Sequence, residues 1–550
     1  MKKKFVSLLS LVLLLSSCSI DFVFGFMSSF ISNNPTVSNS TDINGPASPP
    51  STKVTTSKGE ITSNVPGSVD NYYKATDTKY TLKDINKGIN WNTLNSTGNQ
   101  KVLVVPVHFQ SAASWTSAKL ENLNNVFFGN ESDTNWESVK TFFNKSSYGN
   151  LSISGEVYSE VLEVNMTSTT FDSKYYDYYY KNFCTVSYDP GEYMGTLLHN
   201  SITDANLLKE YDQDKDGYID AVIYCYSNAY SYDDTSVFWA WVSGAYLDAN
   251  VNKPTTNIHM WVSYEFINDT YQSYGVPTGL DGHTFIHEMG HILGLDDYYC
   301  YDTSNKWDPA GALDMQSYNI GDHNIYSKFS LGWIDPYVVT GDADIKLRSS
   351  ALHGDAILIK NDWNGTIFDE YILIEYYTPE GLNEQDSLYG FGGRDKMFTY
   401  SGLRIYHVDA RLVKIGRNDS FYGDNSGYIE DSKIDSALNA TDGSIAYIGA
   451  SNSVSLSHLT SAQNPSEIRL LHLIDKGGRN TIYEGTDPKK TNSLLVNPSD
   501  ALWVTGDVFE PQWSYFYNGT NKFNDGTTVG YKVTVGEVEN GEITVSVRVK

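Results

Sequence analysis

Two histidines four residues apart, with a glutamate directly after the first, are the side chains of this chain best placed to do chemistry together. They are His287, Glu288 and His291, in the run Asp281-Gly282-His283-Thr284-Phe285-Ile286-His287-Glu288-Met289-Gly290-His291-Ile292-Leu293-Gly294-Leu295-Asp296-Asp297. On a helix the two imidazoles stand one turn apart on one face, so both can bind a single ion while Glu288 projects beside it. Imidazoles suit zinc, and a hydrolytic zinc site keeps three protein donors and one open position. Gly294 can take the left-handed turn that stops the helix, which brings a residue about three positions later back to the ion. Asp297 stands there, with Asp296 as the alternative carboxylate. Cys300 is set aside, because a thiolate would fill the position that hydrolysis keeps open. In this arrangement Glu288 is the general base that deprotonates an attacking water.

A second group has the spacing of a hard-cation loop. Asp212-Gln213-Asp214-Lys215-Asp216-Gly217-Tyr218-Ile219-Asp220 sets oxygen donors at alternate positions, with glycine sixth, where a tight turn is needed. Asp212, Asp214, Asp216, Tyr218 through its carbonyl, and Asp220 are the candidate Ca²⁺ ligands. The twelfth position is Ile223, not a carboxylate, and a strand follows, so the expectation is a structural calcium loop and not an EF-hand.

These groups need elements to hold them. Phe285, Met289, Ile292, Leu293 and Leu295 give the histidine helix an apolar face. Val102 to Val107 reads as a buried strand, although Pro106 argues against a central place. Trp136 to Asn144 has helical spacing, Leu151 to Val157 alternates as a strand, and Ala221 to Tyr226 is an apolar strand holding Cys225. After Asp335-Pro336 the texture changes to short strands: Asp344 to Arg348, Ala356 to Lys360, Tyr371 to Tyr377, Gly402 to Val408, Ser466 to Leu473 and Glu542 to Val549. Trp239, Trp241 and Trp261 read as core aromatics, with cleft lining as the alternative. His407 and Asp409 read as a structural pair, and His283 as a supporting or surface residue. The fold class is α+β: a mixed α/β domain over 100–338, followed by a β-rich, sandwich-like domain over 339–550.

The chain has 550 residues, too many for one core, and 40% of them are hydrophobic. Its 66 acidic against 39 basic residues give a net charge of −27, which repels phosphate backbones and excludes nucleic acid as an expected partner. Lys2 to Lys4 and the apolar run Phe5 to Leu15 form an export signal too short to span about 30 Å of hydrocarbon. The signal, 1–18, ends in Leu15-Ser16-Ser17-Cys18 and resembles a bacterial lipoprotein signal, which implies lipidation at Cys18. Residues 31–69 are rich in Ser, Thr, Asn and Pro, and 19–69 read as a disordered stalk, with the apolar residues from Ile20 to Ile31 leaving an uncleaved anchor as the minor alternative; 70–99 read as a linker or short prosegment. Cys184, Cys225 and Cys300 allow one disulfide at most.

The run around Gly294 and Asp297 resembles the metzincin clan, and more closely the M6 family, the immune inhibitor A-type metallopeptidases, whose third donor is Asp. The resemblance includes Ser146-Ser147-Tyr148-Gly149-Asn150-Leu151, the Asp212 to Asp220 loop and Leu331-Gly332-Trp333, with weaker echoes in Glu370 to Glu375 and Gly402 to Asp409. It implies a metzincin-like catalytic domain and a methionine turn under the metal, for which Met315 in Asp314-Met315-Gln316-Ser317-Tyr318 is the candidate. By the same analogy Tyr318 or His323 would help hold the developing oxyanion. The expectation is therefore a secreted zinc metalloendopeptidase, monomeric, acting on extracellular proteins or peptides and anchored by lipid to the surface of a bacterial membrane. The alternative is a surface adhesin or glycan-binding protein on a degenerate protease scaffold.

Overall fold

The computed structural model describes residues 52–56, 59–63, 70–85, 93–176, 190–233, 236–245, 247–269, 279–301, 309–311, 313–392, 396–415, 425–442, 444–453, 459, 468–476, 502–512, 515–516 and 520–550. The signal, Cys18 and Cys184 lie outside them. Among the described residues, no helix is long and apolar enough to cross a membrane.

A six-stranded sheet organises the N-terminal half around the long strand Gly98–Gln110. One flank pairs in parallel with Leu151–Val157 and then with Leu162–Thr167. The other pairs with Val222–Tyr226, which is followed by parallel Ile258–Ser263 and then, antiparallel at the edge, Trp241–Gly244. The strand with Pro106 is thus central, contrary to expectation. The Leu103 N–H donates to Ala221 and the Val107 carbonyl accepts from Ser227, so alternation turns Val104 and Pro106 to the opposite flank. There the partner changes between Val157 and Leu162, and the missing proline N–H removes no ladder bond.

Apolar side chains cover both faces, which explains the unbroken apolar runs. Val102, Val104, Ile223, Cys225 and Met260 pack against the helices Ser117–Phe128, Val139–Ser146 and His283–Ile292; Leu103, Val105, Tyr224 and Tyr226 pack against Phe171, Met194 and Leu198. The expected helix near Trp136 begins at Val139, where the Ser138 side chain caps it by accepting from the Thr141 N–H. Trp241 and Trp261 belong to the core, both donating from Nε1 to the Val237 carbonyl at 3.1 Å.

In the C-terminal half, the strands Glu370–Tyr377 and Gly402–Asp409 are buried on both faces. Tyr371, Leu373, Tyr406 and Val408 join the core beneath the histidine helix; Ile372, Ile374, Leu403 and Ile405 share a second core with Val533, Val535, Ile543, Val545 and Val547 of the terminal strands Tyr531–Glu539 and Glu542–Val549. The strand Tyr337–Arg348 pairs with Ile357–Ile359 at its start and with Glu542–Val549 at its end, so one sheet folds over the second core. His407 and Asp409 are both buried: His407 Nε2 lies 2.7 Å from Glu370 Oε1, and Asp409 binds Arg411.

Most of the expected stalk, 19–51, 57–58 and 64–69, lies outside the described residues. Thr52–Thr56 and Gly59–Ser63 form a hairpin that continues through Asp70–Lys74 onto Tyr337–Arg348. Strand pairing uses backbone groups, so a polar segment can complete a sheet edge. Tyr72, Ala75, Leu82 and Ile85 are buried, and residues 70–85 are built into the sheet and core.

Candidate metal centre

The site helix His283–Ile292 ends as the sequence suggests. Gly294 adopts φ +98°, its N–H donates to the His291 carbonyl, and the Leu295 N–H donates to Gly290. The turn brings Asp297 back over the helix. His287 Nε2 lies 3.2 Å from His291 Nε2, and Asp297 Oδ1 lies 3.0 Å and 3.4 Å from these two atoms. His287, His291 and Asp297 therefore form a group that could hold one metal ion.

Both imidazoles are oriented from behind. His287 Nδ1 donates to the Met315 carbonyl at 2.7 Å, and His291 Nδ1 to the Leu295 carbonyl at 2.8 Å. Those bonds place the ring protons on Nδ1 and leave the two Nε2 lone pairs facing each other and a carboxylate. Three acceptors gathered in one place require a cation or a captured proton. Without an ion, burial disfavours charge on His291, but neighbouring Asp297 outweighs it and raises the imidazole to about 10. Burial likewise opposes ionisation of Asp297, and His291 overcomes it, holding the carboxyl at about 2.

Glu288 is 1% exposed, and neither carboxylate oxygen has a hydrogen-bond partner among the described residues. Burial pushes its carboxyl up to about 7, with His291 and His287 pulling the other way. Asp296 does not join the donors. It faces a small cavity with Leu82, Ile85, Tyr326 and Tyr447, and burial raises it to about 6. Cys300 is also absent from the converging group.

Met315 opens a short helical turn, Met315–Tyr318, capped by Asp314, whose side chain accepts from the Gln316 N–H and from Asn324. Gln316 lies along the site helix, donating from Nε2 to the His287 carbonyl at 3.2 Å. A Cβ at Gly290 would come within 2.2 Å of Gln316 Oε1, so the glycine inside the histidine motif is what permits this approach.

The two oxyanion candidates are placed differently. His323 is in the core, its Nδ1 3.2 Å from Ser146 Oγ and its Nε2 3.3 Å from Gln316 Oε1; burial and Lys328 hold it well below the usual imidazole range. It supports Gln316 and is not one of the three converging groups. Tyr318 packs 6.3 Å from the Tyr299 ring, which packs 5.3 Å from Tyr301. Tyr301, which spacing did not single out, donates from its hydroxyl to Asp297 Oδ2 at 2.6 Å. It lies four residues after Asp297 in an irregular loop, where no periodic rule links the two positions. His283 is fully buried, stacked between Trp136 at 4.1 Å and Phe391 at 3.8 Å, with Asp281 and Asp386 beside its ring nitrogens.

In the acidic loop, Asp212, Asp214 and Asp216 converge, and the Oδ1 of Asp212, a 5% exposed residue, has no partner among the described residues. Lys215 at φ +64° and Gly217 at φ +94° turn the chain, and a Cβ at Gly217 would meet Asn250 N at 2.8 Å. Asp220 lies outside the converging three. Its Oδ2 accepts from the Gln213 N–H and closes the loop, and burial lifts its carboxyl to about 7. Tyr218 starts the short strand Tyr218–Ile219, paired with Thr255–Thr256.

A scan against protein-family models finds no match to this chain, and a search of curated proteins finds none either.

Proposed function

We propose that this chain is a zinc-dependent endopeptidase with a metzincin-like catalytic half, similar to the M6 metallopeptidases, exported and held at a bacterial cell surface by lipid on Cys18. The observation that carries the reading is the convergence of His287 Nε2, His291 Nε2 and Asp297 Oδ1 beside a buried Glu288 whose carboxylate has no hydrogen-bond partner among the described residues. Their separations of 3.0 to 3.4 Å match the edge of a tetrahedron with zinc–ligand bonds of ~2.0–2.1 Å, which is about 3.3 Å. Two nitrogens and one carboxylate oxygen also suit zinc chemically and leave a position for water.

Bound there, zinc supplies Lewis acidity that polarises a peptide carbonyl and acidifies water. Glu288, buried beside the two imidazoles, accepts the proton of the attacking water and passes it to the departing amine. The Met315 and Leu295 carbonyls keep both imidazoles in the tautomer this requires. The Asp212–Asp214–Asp216 group is proposed as a structural Ca²⁺ site, with the buried Asp212 Oδ1, which has no hydrogen-bond partner among the described residues, as its strongest support.

The test is hydrolysis of unfolded casein by the zinc-supplemented chain beside Glu288→Gln. Cleavage by the wild type with at least a thousandfold loss in the variant supports the proposal. Equal cleavage by both, or none by either, defeats it.

A further inference from the structure

The loop that carries Asp297 has no regular secondary structure of its own, so something else must set its position. Two side chains of the C-terminal half grip the chain on either side of the metal centre. Asn452, fully buried, donates from Nδ2 to the carbonyl of Tyr298, the residue after Asp297, at 2.8 Å, and accepts from the Leu471 N–H at 2.9 Å. Arg404, 1% exposed, donates from Nη1 to the carbonyl of Leu313, two residues before Met315, at 3.2 Å. Its guanidinium is held by Glu375, directly opposite on the neighbouring strand, at 2.8 Å, and lies 4.9 Å from the centre of the Tyr377 ring.

The two gripped stretches also meet each other. The Tyr298 N–H donates to the Gln316 carbonyl at 2.9 Å, and the Gln316 side chain reaches the His287 carbonyl. A continuous set of hydrogen bonds therefore runs from the C-terminal sheet through Tyr298 and Leu313 to the residues that bear Asp297 and the Met315 carbonyl. Buried backbone carbonyls are costly to leave unpaired, so these loops keep the position in which Asn452 and Arg404 satisfy them.

We propose that Asn452 and Arg404 are positioning residues of the metal centre. The C-terminal half sets the place of the third donor, Asp297, and of the turn that orients His287, and the N-terminal half does not hold the three donors in register alone. This rests on the zinc reading given above. Neither residue touches the ion or a substrate. Each acts through backbone, and displacing a donor by a fraction of an ångström lowers affinity for the ion.

The experiment is a zinc competition titration against a chromophoric chelator on the full chain, with thermal melting of the same samples. Asn452→Ala and Arg404→Lys are compared with Val533→Ala, a core truncation in the second cluster. Lysine keeps the charge opposite Glu375 but lacks the planar fork that reaches Leu313. The expected result is a roughly tenfold or greater loss of zinc affinity in both site-facing variants. Val533→Ala is expected to melt lower with its affinity unchanged. Wild-type affinity in both Asn452→Ala and Arg404→Lys overturns the proposal, as does an equal loss in Val533→Ala. If Asn452→Ala fails to fold, Asn452→Ser, which keeps one hydrogen-bonding group, is read in its place by the same criteria. A wild-type chain that binds no zinc instead sinks the metal reading itself, so the two failures are distinguishable.

Discussion

Tyr301 and Asp297 are joined by a 2.6 Å hydrogen bond from the phenol to Oδ2, while Oδ1 of the same carboxylate faces the two imidazoles. The tyrosine fixes the carboxylate plane and leaves Oδ1 directed at the two imidazoles. Tyr301→Phe removes the bond with little change of volume. Zinc affinity is expected to fall about tenfold, with the fold intact by circular dichroism. Unchanged affinity would show that the bond does not orient the donor.

His283 makes stability depend on pH. Burial opposes its charge, but Asp281 and Asp386 outweigh burial and raise the imidazole to about 9. A folded value above the unfolded one means that the stabilisation is complete below about pH 6.5 and is lost as pH rises through about 9. The gap corresponds to on the order of 3 kcal/mol. The melting temperature of the wild type is therefore expected to exceed that of His283→Gln by most near pH 6, with the difference shrinking above pH 9. A difference that grows with pH contradicts the assignment.

Gly290→Ala forces a methyl group to within 2.2 Å of Gln316 Oε1. The expected cost is about 1–3 kcal/mol in denaturant unfolding. Gln316→Ala in the same chain should recover part of it, because the two positions share one contact. Strict additivity in this double-mutant cycle would rule the contact out.

Calcium at the Asp212 loop should act on stability and leave the chemistry alone. Excess chelator is expected to lower the melting temperature even after zinc is restored, and Asp212→Ala to abolish that response. Ligand at a hundred times its dissociation constant contributes about 2.7 kcal/mol, large enough to resolve in a thermal scan. No chelator-dependent shift in the wild type contradicts a bound ion there.

Local spacing made His287, Glu288, His291, Gly294 and Asp297 legible, because a helix and its stop translate sequence distance directly into spatial distance. The same holds for the strand runs at Ala221 to Tyr226 and Tyr371 to Tyr377. Other features depend on partners far along the chain. Pro106 fits a central strand only because neighbours change beside it; His283 is buried only because Trp136 and Phe391 close on it from opposite sides. Tyr301, Asn452 and Arg404 act from a loop or from the C-terminal half, where no period connects them to the donors. The hairpin at 52–63 depends on the backbone edge offered by Asp70–Lys74, which composition does not record.

Whether one ion is held by His287, His291 and Asp297 is decided by elemental analysis of zinc in wild type, Asp297→Ala and Asp296→Ala, purified identically. About one zinc per chain is expected in the wild type and in Asp296→Ala, and a large loss in Asp297→Ala. Full zinc content in Asp297→Ala, or a loss confined to Asp296→Ala, would contradict that set of donors.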